Sequence, residues 1–163
     1  MIEGKDFVVF SDDWGRCPSS CQHIFKRILL KNRVLWVDTI GIRSPQLSIY
    51  DIKRSIEKIS GWIKKDKIES ADCVVNLNII SPIIIPYNHI SILRNFNKKI
   101  ASNKLIKEIK KIGFTNPIVV TTFPNAVDYI DNLCPSVQIY YCVDDFVHWP
   151  GVRPNLVIQM EEE

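Results

Sequence analysis

The chain has 163 residues and a mass of 18.9 kDa, room for one domain of ordinary size and none for a second full one. Hydrophobic residues make up 46% and charged residues 24%, a balance that excludes a disordered chain and lets the fold close without a disulfide or a metal. A net charge of +3 is too weak to argue for nucleic acid, and no stretch reaches the ~18 consecutive apolar residues of a membrane span.

The N-terminus carries no basic region followed by a long apolar run, so no signal peptide is read and the chain is expected in the cytoplasm. The cysteines Cys17, Cys21, Cys73, Cys134 and Cys142 are odd in number, which argues for reduced thiols. Cys17, Cys21 and His23 lack a second ligand pair at zinc spacing, so no metal is expected, and Cys21 is read as a residue on the apolar face of a helix.

The elements follow in order. Phe7 to Phe10 is a short apolar run ended by Ser11-Asp12-Asp13-Trp14-Gly15, a buried strand and its loop. Ser19 or Ser20 caps a helix whose apolar stripe is Cys21, Ile24, Phe25, Ile28 and Leu29. Val34 to Val37 is a second strand ending at Asp38-Thr39. Ile52, Ile56, Ile59 and Ile63 form the stripe of a second helix, weakened at Gly61. Cys73 to Leu77 opens a third strand, and Ser81 to Pro86 is an extended apolar loop, since its two prolines exclude a helix interior.

From Asn88 to Lys111 the pattern is helical, but its phase changes. Leu93, Phe96 and Ile100 share one face, whereas Leu105, Ile106, Ile109 and Ile112 share another, so a break is expected near Ser102-Asn103. Pro117 to Thr122 is a fourth strand, Pro124 opens a short helix, and Val137 to Val143 is a fifth strand ending at Asp144-Asp145. Strands alternating with helices predict an α/β domain: a three-layer Rossmann-like parallel sheet of order 3-2-1-4-5 with helices on both faces.

Open parallel sheets bind ligands outside the carboxyl ends of their strands, where strand order reverses. In this order the crevice lies between the first and fourth strands, lined by Asp12, Asp13, Trp14, Gly15, Thr122 and Pro124. Acids and glycines also end strands simply because turns need them. Trp14 suits either stacking on a sugar or capping the sheet edge, and His23 either a ligand contact or a plain surface position. The chain has no G-x-G-x-x-G, no P-loop and no G-x-S-x-G, which argues against a dinucleotide site, a P-loop and a nucleophile elbow. The acidic pair after the first strand is similar to that of response-regulator receiver domains, but Asn76-Leu77-Asn78-Ile79 offers no acceptor aspartate.

Taken together, Phe7 to Asp38 with Trp14 and Gln22-His23, Asn78 to Pro86 followed by Arg94-Asn95, Thr121-Thr122-Phe123-Pro124, and Tyr140 to Asp145 followed by Pro150-Gly151 resemble the N-terminal domain of bacterial GT-B glycosyltransferases of the teichuronic-acid and polysaccharide type. The resemblance implies a nucleotide-sugar-dependent transferase acting on a saccharide or lipid-linked acceptor, with no cofactor. It divides the chain into an acceptor-side domain, residues 1–150, and the start of a linker, residues 151–163, to a donor-binding domain. The chain by itself is then expected to be inactive. Asp13-Trp14-Gly15-Arg16, Gln22, His23, Thr122, Pro124 and Asp144 would face substrate. Asp13 and Asp145 are the candidates for taking the acceptor's proton in an inverting reaction.

Lys104, Lys107, Lys110 and Lys111 lie opposite Leu105, Ile106, Ile109 and Ile112. They read as a solvated face, or as a basic stripe on an anionic membrane surface at the inner face of the plasma membrane. The alternative to the transferase is a stand-alone α/β binding or regulatory module.

Overall fold

A computed structural model describes residues 2–16, 18–38, 75–82, 84 and 90–163. The expected Ile52–Ile63 helix, the strand start at Cys73 and Ile83, Ile85 and Pro86 of the apolar loop lie outside the described residues.

Five strands form one all-parallel sheet of order β3-β2-β1-β4-β5, as the alternation of elements predicts. They are β1 (Asp6–Phe10), β2 (Arg33–Val37), β3 (Leu77–Ile80), β4 (Ile118–Thr121) and β5 (Val137–Tyr140). The helices are α1 (Ser20–Ile28), α2 (Ser91–Lys111), the short α3 (Val127–Ile130) and α4 (Pro154–Glu162).

Successive side chains of a strand point to opposite faces, so each central strand feeds two cores. Phe7 and Val9 of β1 with Val34 and Trp36 of β2 pack against Cys21, Phe25 and Leu29 of α1. Val8, Phe10, Leu35 and Val37 pack on the other face against Ala101, Leu105 and Ile109 of α2 and Tyr129 and Ile130 of α3. This two-sided burial explains central strands that are apolar without alternation. Ser19 caps α1, its hydroxyl accepting from the Gln22 N–H at 3.3 Å, as read from the sequence.

Three sequence expectations are corrected. The helix expected to break near Ser102-Asn103 is one unbroken element, α2. Ser102 is buried inside it and receives a bond from the Asn132 amide at 3.4 Å. The phase change arises because α2 is apolar on two sides. Asn97, Ala101, Leu105 and Ile109 are its buried side, while Phe96 and Ile100 are exposed.

The third strand runs over Leu77–Ile80, later than expected, because Asn76 takes a left-handed backbone at φ 83° that no strand accommodates. The fifth strand ends at Tyr140 and not at Val143. Beyond it, Pro154–Glu162 forms α4, which seats Val157 against Phe123 and Phe146. Tyr140 Oη donates to Glu161 at 2.7 Å, and Glu163 lies 3.6 Å from Arg94.

Candidate functional site at the switch point

Chain order reverses between β1 and β4, and the loops leaving their carboxyl ends frame the expected crevice. The loop after β1 is a tight turn. The Arg16 N–H returns to Asp13 O at 3.2 Å, and Gly15 sits at φ 77°, a backbone that favours glycine. The turn is clamped from below by Gln22, which is 2% exposed. Its Oε1 accepts from the Gly15 N–H at 3.1 Å and its Nε2 donates to Asp13 O at 3.2 Å. The helix that carries Gln22 thus fixes the loop, and Gln22 is a positioning residue buried beneath the turn.

Asp38 at the end of β2 ties two further segments together. Its Oδ1 accepts from the Trp14 N–H at 3.1 Å and its Oδ2 from the Ser81 hydroxyl at 2.6 Å. Trp14 does not stand free over the crevice. Its ring packs edge-on against Trp36 with centroids 4.6 Å apart, and the Trp36 indole N–H donates to Asp12 O at 2.9 Å. Trp14 is half-buried, with one edge of its ring capping the sheet. Asp13 and Arg16 form an exposed ion pair at 3.1 Å, which places one charge of each sign at the rim.

Across the crevice, Thr122 is 1% exposed. Its backbone N–H reaches Phe10 O at 2.9 Å, and its hydroxyl lies 3.1 Å from Ser11 Oγ, stitching β4 to β1. Pro124 is buried at the first position of a single helical turn, Pro124–Ala126. Both residues therefore build the floor and do not line it. The space above is closed: Phe10, Ser11, Val37, Asp38, Phe123, Asn125 and Ala126 line a depression with no room for a water molecule.

Asp144 and Asp145 follow the edge strand β5. Asp144 Oδ1 accepts from the Asp145 N–H at 2.9 Å and its Oδ2 from the Trp149 indole at 2.8 Å. Asp145 pairs with His148 Nδ1 at 2.7 Å. The Tyr141 hydroxyl and Ser20 Oγ are 3.1 Å apart, which anchors this loop to the start of α1. His23 points outward and lines an open recess of about 510 Å³ with Ile24, Arg27 and Ile28.

The structure thus gathers Asp13, Trp14, Gly15, Arg16 and Gln22 into one unit with Thr122 and Pro124 on the adjoining strand end; Asp144 and Asp145 lie in the loop after β5 that Tyr141 ties to Ser20, and His23 lies on the exposed side of α1. Sequence reasoning undervalued Asp38 and missed Ser81 and His148. Asp38 is legible as an acid at a strand end, and His148 only from its three-residue step to Asp145 on a helical turn.

Burial pushes the Cys21 thiol up to about 11, with the Asp12 charge adding to the rise and a bond from Ser11 opposing it. This thiol is a core residue and no nucleophile. Among the described residues no cluster of three metal-ligating side chains occurs, and no helix is long and apolar enough to cross a membrane. No family model matches the chain, and no curated protein or solved structure matches it.

Proposed function

We propose that the chain supplies the acceptor side of a nucleotide-sugar-dependent glycosyltransferase acting in bacterial surface polysaccharide synthesis. The observation that carries this reading is the clamped turn Asp13 to Arg16 at the switch point, the place where doubly wound sheets receive phosphorylated ligands. Gly15 lets a ligand approach the backbone, and the exposed guanidinium of Arg16 supplies charge toward a phosphate. The resemblance of the ordered segments to GT-B enzymes supplies the substrate class, a nucleotide sugar and a saccharide or lipid-linked acceptor.

In such a transfer the anomeric carbon gains positive character as the nucleoside diphosphate leaves. An inverting reaction needs a base for the acceptor hydroxyl. Asp145 is the first of the two acids to test, because its partner at 2.7 Å is the imidazole of His148 and not a permanent cation. Asp13 is engaged by Arg16 at the crevice rim.

The test is transfer of labelled sugar from nucleotide sugars to a lipid or polysaccharide fraction in cells carrying the protein with Asp145→Asn. Loss of a positioned base lowers transfer by about 100-fold or more. Incorporation at the wild-type rate removes Asp145 from the chemistry, and no incorporation above cells lacking the protein removes the transferase reading.

A second reading, a binding or regulatory module without transferase activity, is favoured by the internal use of the site's polar groups. Trp14 packs on Trp36, Thr122 bonds to β1, and the depression at the crevice floor has no room for a water molecule.

A further inference from the structure

The unbroken α2 leaves an apolar ridge on the outside of the molecule. Ile92, Phe96 and Ile100 follow one another at four-residue steps and are 79%, 50% and 43% exposed. Residues this large and this apolar are ordinarily exposed singly, and three in a row on one helix side mark an interaction surface. Seven residues on, two helical turns further, Lys99 follows Ile92 and Lys107 follows Ile100, and Lys110 continues the same side. Each of these three lysines is exposed. The helix carries seven cations against the single acid Glu108, which is turned to Lys111 at 3.1 Å.

The charge pattern selects the occupant. A second copy of the chain laid on this ridge would set lysine against lysine. A protein groove that took the ridge would have to line the following two turns with acids to meet the lysines. A planar surface of negative charge with an apolar interior fits both halves of the ridge. We propose that α2 docks this protein on an anionic phospholipid bilayer, with Ile92, Phe96 and Ile100 entering the acyl boundary and Lys99, Lys107 and Lys110 meeting headgroup phosphates. Of the basic stripe read from sequence, Lys107 and Lys110 serve here. Lys104 reaches Ser81 O at 3.1 Å and Lys111 is paired with Glu108. The contact suits an acceptor carried on lipid, but it stands on α2 alone and does not require the transferase reading.

The experiment is co-sedimentation of the full chain with phosphatidylcholine vesicles and with vesicles containing phosphatidylglycerol, comparing wild type, Ile92→Ser/Phe96→Ser and Lys107→Gln/Lys110→Gln. Wild type sediments with the anionic vesicles only, and each double variant weakens binding on the order of tenfold or more. A Phe96→Trp variant is quenched by brominated anionic lipid. Four results overturn the proposal: no binding to phosphatidylglycerol vesicles, equal binding to both compositions, binding untouched by Ile92→Ser/Phe96→Ser, or a wild-type dimer that this variant disperses. Loss through the lysine variant alone would mean a purely electrostatic contact and would reject the inserted ridge.

Discussion

One carboxylate, that of Asp38, joins the ends of β1, β2 and β3 by accepting from the Trp14 N–H and the Ser81 hydroxyl. Gln22 does the same from α1, and between them the turn at the switch point has little freedom left. The residues that shape this site are thus the buried Gln22 and the half-buried Asp38, both bonded to the backbone of the turn, and the exposed acids sit around them. Cys21 illustrates the chemistry of the interior. Its thiol holds its proton up to about 11 against an ordinary value of 9.0 because burial disfavours the thiolate.

Two outcomes follow for Cys21. Brief alkylation of the native chain near neutral pH labels the exposed Cys134 and Cys142 and spares Cys21, as peptide mass spectrometry will read. The folded state also binds that proton more tightly than the unfolded state does. Its contribution to stability is therefore whole below pH 9.0 and drains as pH rises toward about 11. A Cys21→Ala variant loses that part of the alkaline slope in denaturation curves.

At the scale of elements, α2 is the most informative, because it carries the ridge on one side and the core on the other. Its first turns are fixed by Arg94, whose Nε lies 2.9 and 2.8 Å from the two oxygens of Asp128 in α3. Asp128 is 5% exposed, and the bond to it holds the Arg94 guanidinium protonated beyond its ordinary range. Asp128→Ala leaves that partly buried cation with Glu163 alone and lowers unfolding free energy by about 2 kcal/mol in urea denaturation, the loss of a charge-assisted hydrogen bond. Lys111→Gln, which breaks an exposed pair with Glu108, changes it by no more than about 0.5 kcal/mol.

The sequence pattern of α2 was readable as helix throughout. Its continuity was not, because periodicity reports which residues share a side and says nothing of which side meets the core. Two apolar sides in one helix look the same as two helices out of phase. The third strand was misplaced for a related reason. Cys73 to Leu77 has strand composition, but the left-handed Asn76 delays pairing to Leu77, and backbone handedness at an asparagine leaves no mark in hydrophobic periodicity.

For the whole molecule, the alternation of short apolar runs with amphipathic helices was enough to give the sheet order, since right-handed crossovers leave few arrangements. The same reasoning gave the location of the crevice between β1 and β4 and the loop residues that frame it. It did not give their orientation. Trp14, Thr122 and Pro124 sit where the strand order places crevice residues, and the fold uses them for packing and for stitching β1 to β4. What remains free at the rim is the Asp13–Arg16 pair, with Asp145 and His148 beyond β5.

The central claim is that a substrate meets the protein at this rim. Amide chemical-shift titration of the full chain tests it most directly, with UDP-glucose, UDP-N-acetylglucosamine and a short-prenyl diphosphate-linked monosaccharide as probes. The account predicts that at least one of them shifts Asp13 to Arg16 and Asp38 in a saturable way, and that Arg16→Gln weakens that response about tenfold, the loss of one charge-assisted hydrogen bond. Saturable shifts confined to residues away from the β1 and β4 loop ends, or none with any probe, would contradict it.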